Sequence, residues 1–171
     1  SGHVGAVTHA RFDETATSLL TAGEDGTVRL WDVVSGETEQ VMPGHTAPIT
    51  DIAFGKETDT VLTIVSSGIV RVWSVARDGD LRRIGNHESS VINVAWSPDG
   101  KLLASAGADN TARIFDVESG AELMVLAGHE DWVRDLVFSP DGRYLVTGSD
   151  DGSTVLWDVE SGTEIRRYEG P

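Results

Sequence analysis

His3, His45, His87 and His129 stand 42 residues apart, and Trp31, Trp73, Phe115 and Trp157 keep the same step. Two residue types locked to one period along the whole chain mean one supersecondary unit written four times. A unit of this kind cannot bury its apolar face alone, so neighbours must cover one another. The spacing therefore decides the architecture and raises a question: whether four units suffice to close on themselves.

The units are expected at residues 2–43, 44–85, 86–127 and 128–169. The fourth is the most regular. Val133 to Phe138 is a short apolar-rich run, and Ser139-Pro140-Asp141-Gly142 is a turn in which proline presets one dihedral and glycine accepts the unusual one. Arg143 to Gly148 follows, then a tight connection at Asp150-Asp151-Gly152, the β-rich run Ser153 to Asp158, a turn at Glu160-Ser161-Gly162, and the alternating run Thr163 to Tyr168. Four short strands separated by turn chemistry, with no helical period and no helix caps, predict an all-β unit. The first run carries Val7, Ile49, Val91 and Val133 at one position and Phe12, Phe54, Trp96 and Phe138 at another. Ala10, Ile52, Val94 and Leu136 lie between them, and Leu30, Val72, Ile114 and Leu156 recur in the third run. Packing is the expected role of all of them.

The fourth unit carries Gly128-His129, Ser139-Pro140-Asp141-Gly142, Asp151-Gly152 and Trp157-Asp158-Val159, and several of these elements recur in phase in the other units. In this the chain resembles the WD-repeat β-propeller family over essentially its whole length. The resemblance implies one four-stranded antiparallel blade per unit, set around a central channel. It also implies a role for a recurring set of polar residues. In the family, an indole N–H, a hydroxyl, an imidazole and a turn carboxylate form a buried hydrogen-bond relay. The full sets here are Trp31, Thr21, His3 and Asp25, and Trp157, Thr147, His129 and Asp151. The second unit has Trp73, Thr63 and His45, with Ser67 in place of the carboxylate. The third has Ser105, His87 and Asp109, with Phe115 in place of the indole and Asn86 in place of the glycine before the histidine. The second and third blades are expected to be the softer ones. In the second, Lys56-Glu57-Thr58 also stands where the Pro-Asp-Gly turn recurs.

Hydroxyl, imidazole and carboxylate together also describe nucleophilic catalysis. A network copied at every period offers no singular cleft or oxyanion hole, so no catalytic residue is expected. One histidine per unit spreads the imidazoles apart, His9 is the single extra one, and Asp150-Asp151-Gly152 lacks the spaced oxygens of a calcium loop. No metal and no cofactor are expected.

Lysine plus arginine number 13 against 28 aspartates plus glutamates, a net charge of −15. That field repels phosphate backbones and anionic lipid, so neither nucleic acid nor a membrane is an expected partner. The chain has no cysteines, and no apolar run approaches the ~20 residues that cross a bilayer. With no leader pattern in the first residues, the expected setting is cytoplasmic.

Blades of the family usually number about seven to a ring, so four would sweep about half of one. The two end faces would then be open and apolar. Two chains related by a two-fold axis would cover both, giving a homodimer with eight blades in one ring. The expected function is thus a non-enzymatic protein–protein interaction scaffold that closes its ring by self-association. The alternatives are a fragment or engineered piece of a longer propeller with no activity of its own, and an enzyme. A second protein partner is expected on the loops before the first strand and between the second and third. Equivalent positions there are Ala6, Pro48, Ser90 and Trp132, and Thr8, Thr50, Ile92 and Arg134. Only the fourth unit presents Trp132 with Arg134, beside Asp150, and tryptophan and arginine are frequent interface anchors.

Overall fold

The computed structural model describes residues 2–55, 60–75 and 81–170, with the backbone alone for residues 81–83, 85 and 86. The described residues form sixteen strands in four antiparallel sheets. The first sheet is β1 (Val7–Phe12), β2 (Ser18–Gly23), β3 (Val28–Asp32) and β4 (Thr38–Met42). The second is β5 (Ile49–Phe54), β6 (Thr60–Val65), β7 (Ile69–Ser74) and β8 (Leu81–Asn86). The third is β9 (Val91–Trp96), β10 (Leu102–Gly107), β11 (Thr111–Asp116) and β12 (Glu122–Ala127). The fourth is β13 (Val133–Phe138), β14 (Tyr144–Ser149), β15 (Ser153–Asp158) and β16 (Glu164–Glu169). Each sheet is a meander in which every strand pairs with the next.

In the fourth sheet β14 and β16 begin one residue later than the runs of the sequence suggest. The Ser139 N–H donates to the Tyr144 carbonyl and the Asp158 N–H to the Thr163 carbonyl, so Arg143 and Thr163 belong to closed turns. The Lys56-Glu57-Thr58 turn lies outside the described residues. The same turn in the first sheet departs from its relatives. Gly100 and Gly142 take positive φ in the third and fourth sheets, whereas Ala16 occupies the equivalent place at φ 55°. An L-residue with a Cβ is strained there. Asp13 holds this turn closed by accepting from the Thr15 and Thr17 hydroxyls and the Ser18 N–H.

The aspartate after the aromatic residue of β3, β11 and β15 closes the following turn. Asp32, Asp116 and Asp158 accept the N–H of Ser35, Ser119 and Ser161 at 2.6, 2.7 and 2.8 Å. Side-chain acceptors of this kind satisfy backbone groups that a tight turn leaves unpaired. A β-bulge at the start of β1, between Val7 and His9, recurs in β5 and β13. It places Val7 and Ala10, three residues apart, on the face that also carries Phe12.

The chain folds as two compact units, Ser1–Arg83 and Ile84–Pro171. In the first, β5 packs on β1 and β2. Leu20, Ala22, Val28, Leu30 and Met42 from one sheet meet Ile49, Ile52, Val61, Val65 and Trp73 from the next. The second unit repeats this with β13 on β9 and β10. There Ala104, Ala106, Ala112, Ile114 and Leu126 meet Val133, Leu136, Phe138, Leu145 and Trp157. Each fully buried Val, Leu, Ile, Phe or Met among them contributes about 1.5–3 kcal/mol. Both cores are built alike: the back of one sheet receives the front of the following one.

The front of the first sheet is uncovered. Val7 is 53% exposed and Phe12 61%, whereas Val133 and Phe138 at the same positions are 0% and 7%. Ala10 is exposed where Ile52 and Leu136 are buried, and Leu19 is half-buried where Leu103 and Leu145 are fully covered.

Candidate functional site

Each sheet carries its relay on the front face. In the first, the Trp31 Nε1–H donates to the Thr21 hydroxyl at 2.8 Å, Thr21 lies 2.7 Å from His3 Nε2, and His3 Nδ1 lies 3.0 Å from Asp25. In the fourth, the Trp157 N–H reaches Thr147 at 2.8 Å, Thr147 meets His129 Nε2 at 2.8 Å, and His129 Nδ1 meets Asp151 at 2.9 Å. A carboxylate only accepts, so Nδ1 carries the proton and Nε2 is left as an acceptor. The hydroxyl must then donate to Nε2 while accepting from the indole. Donation runs in a single order from indole to hydroxyl to imidazole, and separately from imidazole to carboxylate, leaving no orphan.

The third sheet brings Ser105 to 2.7 Å from His87 Nε2 and Asp109 to 2.9 Å from His87 Nδ1. Phe115 is fully buried in the indole's place and offers no donor, so Ser105 is one hydrogen bond short of Thr147. In the second sheet the Trp73 N–H donates to Thr63 at 3.1 Å and Thr63 meets His45 Nε2 at 2.9 Å. His45 Nδ1, lacking a carboxylate, donates to the Gly26 carbonyl of the preceding sheet at 3.1 Å. Loss of the carboxylate at Ser67 therefore leaves the imidazole satisfied, with the same tautomer.

Further members of the relay escape a reading by residue type. The Thr27, Thr111 and Ser153 hydroxyls donate to Asp25, Asp109 and Asp151 at 2.8, 2.7 and 2.7 Å. The N–H groups of Val4, Glu88 and Glu130, each next to a histidine, bind the same carboxylates at 2.9, 3.0 and 2.9 Å. The hydroxyls stand at the 42-residue step, and the second sheet has Ile69 there. Carboxylate and hydroxyl are thus replaced together by Ser67 and Ile69, and Ile69 packs against the apolar cluster. The signal that could have found them was the period itself, applied to every polar position.

Burial works to raise the Asp25, Asp109 and Asp151 carboxyls, but the hydrogen bonds from hydroxyl, imidazole and backbone outweigh it. Asp109 is brought down to about 2, and Asp25 and Asp151 also lie well below the ordinary carboxylate range. Burial pushes His45 and His87 below the ordinary histidine value, only partly opposed by the Gly26 carbonyl and by Asp109 respectively. At His87 the arrangement holds a neutral imidazole against an ionised carboxylate. Thr63, Ser105 and Thr147 are fully buried, so their hydroxyls face no space in which a substrate could be attacked. Among the described residues no group of three or more histidine, aspartate and glutamate side chains is placed to hold a metal ion.

Arginines stand beside the second, third and fourth relays. Arg71 in β7 donates to the Gly44 carbonyl at 2.8 Å. In the fourth sheet Val155 takes the equivalent position, and Arg167, directly across on β16, donates to the Gly128 carbonyl at 3.0 Å. Arg167 also binds Ser153 and Glu164, both at 2.9 Å. In the third sheet Arg113 binds Glu122, the counterpart of Glu164, at 2.8 Å.

Trp132, Arg134 and Asp150 meet at one end of the fourth sheet. Trp132 is 45% exposed and the Arg134 guanidinium lies 4.7 Å from its ring centroid. Arg134 is paired with Asp150 at 2.6 Å, which holds the carboxyl below its ordinary value. The arginine thus braces the indole from one side and leaves its other surface to solvent.

Four stretches of the chain, residues 1–32, 36–74, 79–116 and 120–158, match the model of the WD domain, G-beta repeat. The chain belongs to the WD-repeat family. Its sheets are therefore blades, and the matched repeat is out of phase with them: each of the last three stretches opens on the outer strand of one blade and ends on the third strand of the next. A stretch of 35 residues is 54% identical to the serine-threonine kinase receptor-associated protein of Dictyostelium discoideum. It covers 20% of this chain and 12% of that relative. No helix long and apolar enough to cross a membrane occurs among the described residues. WD-repeat proteins are in general interaction scaffolds rather than enzymes, and the buried relays agree with that.

Proposed function

We propose that this chain is a non-enzymatic protein–protein interaction scaffold whose four blades, taken as residues 2–43, 44–85, 86–127 and 128–169, are completed by a second copy to an eight-bladed ring about a two-fold axis. The observation that carries the reading is the uncovered front of the first blade. Val7 and Phe12 face water there, while the same positions of the second and fourth blades face a neighbour. Contiguous exposed apolar surface of this kind marks an association site. The His3–Thr21–Trp31 relay lies on the same front, and a covering blade would exclude water from it. In this reading all four relays serve to hold blades rigid for binding.

The mass in solution tests this. The expected value is twice 18.3 kDa. A monodisperse species of 18.3 kDa that melts cooperatively would remove the dimer. The second part of the reading is a partner contact at Trp132, Arg134 and Asp150, supported by the solvent-facing indole. Trp132→Ala should leave mass and melting temperature unchanged and reduce binding of a partner protein. Unchanged binding would remove the patch. The name of the Dictyostelium relative, a receptor-associated protein, is in keeping with a binding role.

A further inference from the structure

The first blade is open at its front. The fourth is open at its back. Leu20, Ala22, Val28, Leu30 and Met42 line the back of the first blade and are all buried. Their counterparts in the fourth blade are Val146, Gly148, Thr154, Leu156 and Tyr168. The first four of these are half-buried, and Tyr168 is 51% exposed. Within each compact unit the back of one blade receives the front of the next. The bare front of the first blade and the bare back of the fourth are the two halves of that contact, on different surfaces.

We infer that the seam between two copies is head to tail: the back of the fourth blade of one copy takes the front of the first blade of the other. Front would not meet front. This deepens the self-association proposed above and rests on it.

Polar chemistry at the inner strands supports the same pairing. Residues 9, 51, 93 and 135 are equivalent. In the second unit Asn93 donates to Asp135 of the following blade at 2.7 Å, and in the first unit Arg11 reaches Asp51 at 3.3 Å. The seam inside each unit thus joins a donor to an acid. Continuing the step past Asp135 brings it to His9 of the second copy. Asp135 accepts from Asn93 and from the Leu136 N–H through one oxygen, Oδ1. His9 uses Nδ1 on its neighbour Thr8. The seam between copies would set the second carboxylate oxygen beside the His9 ring, a basic group against an acid, with the order of acid and base reversed from the Arg11–Asp51 seam.

The test uses the whole chain and one charge on one face at a time. Phe12→Glu disables the front, and Leu156→Glu disables the back. Both side chains already meet solvent in the single copy, so each variant should fold. Tyr168→Glu is a second back-face variant, and melting curves check all three. Each variant alone should be monomeric, because a head-to-tail seam needs both faces. Mixing Phe12→Glu with Leu156→Glu should restore a dimer through the one intact front and the one intact back. His9→Asp should raise the dimer dissociation constant roughly tenfold, since it sets two acids together. A folded single-face variant that still dimerises alone pairs like faces and overturns the head-to-tail seam, leaving self-association standing. Monomeric wild type overturns both. Open-ended polymers of the wild type would support the seam and overturn the closed ring. An unchanged constant for His9→Asp would overturn the His9–Asp135 contact.

Discussion

Arg167 holds the Gly128 carbonyl from the strand opposite the one that Arg71 uses to hold Gly44. The cation has moved across a strand pair, from the position of Val155 to that of Arg167, and still reaches the glycine before the histidine. Gly128 lies at the surface, where water can take the place of a lost donor, so the loss is that of an ordinary hydrogen bond, about 0.5–1.5 kcal/mol. Arg167→Ala should lower stability by that amount in urea unfolding. Val155→Arg with Arg167→Val should recover most of it, because Arg29–Val41 and Arg113–Val125 are paired in that sense in the first and third blades. An additive double-mutant cycle would contradict the shared role.

The relays predict unequal costs for removing their hydroxyls. Thr147→Val strands both the Trp157 N–H and His129 Nε2. Ser105→Ala strands His87 Nε2 alone, because Phe115 has nothing to lose. At about 1–3 kcal/mol for each buried polar group left unpaired, the first change should cost about twice the second. Chemical denaturation of the two variants measures the ratio, and equal losses would argue against the donation order given above.

Acid should loosen the fold in two stages. His45 and His87 lie below their ordinary value of 6.5, so below that pH the unfolded chain takes up protons that the native one declines. Stability is then lost as pH falls, by about 1.4 kcal/mol per pH unit for each withheld proton. The carboxylates add the second stage. Asp109 sits at about 2 against an ordinary 3.8, and its contribution is present above 3.8 and lost as pH falls toward 2. Melting temperatures taken from pH 8 to pH 3 should decline below about 6.5 and more steeply below about 4. A flat profile between pH 7 and 5 would contradict the neutral buried imidazoles.

Ala16 should improve as glycine. Its φ of 55° is the conformation that Gly100 and Gly142 take at equivalent positions. Relief of left-handed strain, of about 1–2 kcal/mol, exceeds the entropy that glycine adds to the unfolded chain. Ala16→Gly should stabilise by about 0.5–1 kcal/mol, or roughly 1–4 °C in melting temperature. Asn110, at φ 65°, should gain less, because its side chain also donates to the Glu130 carbonyl. A lower melting temperature for Ala16→Gly would count against the strain argument.

The four meanders were legible in the sequence because period, most of the turn residues and the apolar positions pointed the same way. Strand starts slipped by one residue at Arg143 and Thr163, where a turn hydrogen bond, invisible to residue pattern, closes the turn around them. Aligning the histidines, hydroxyls, carboxylates and indoles brought the relay residues into view. Thr27, Thr111 and Ser153 were overlooked because a hydroxyl at the head of a strand reads as ordinary β composition. The acceptor that serves His45 could not be read at all: it is a backbone carbonyl on another blade, and carbonyls leave no mark in a sequence.

The phase difference between repeat and sheet bears on how such a gene can change length. Excising residues 36–74 would remove β4 to β7 and leave β8 to dock on β3, so the splice would be sewn shut by cross-strand hydrogen bonds inside a complete meander. Whole repeats can thus be lost or gained with every surviving sheet still four strands wide, and each join falls where backbone pairing mends it.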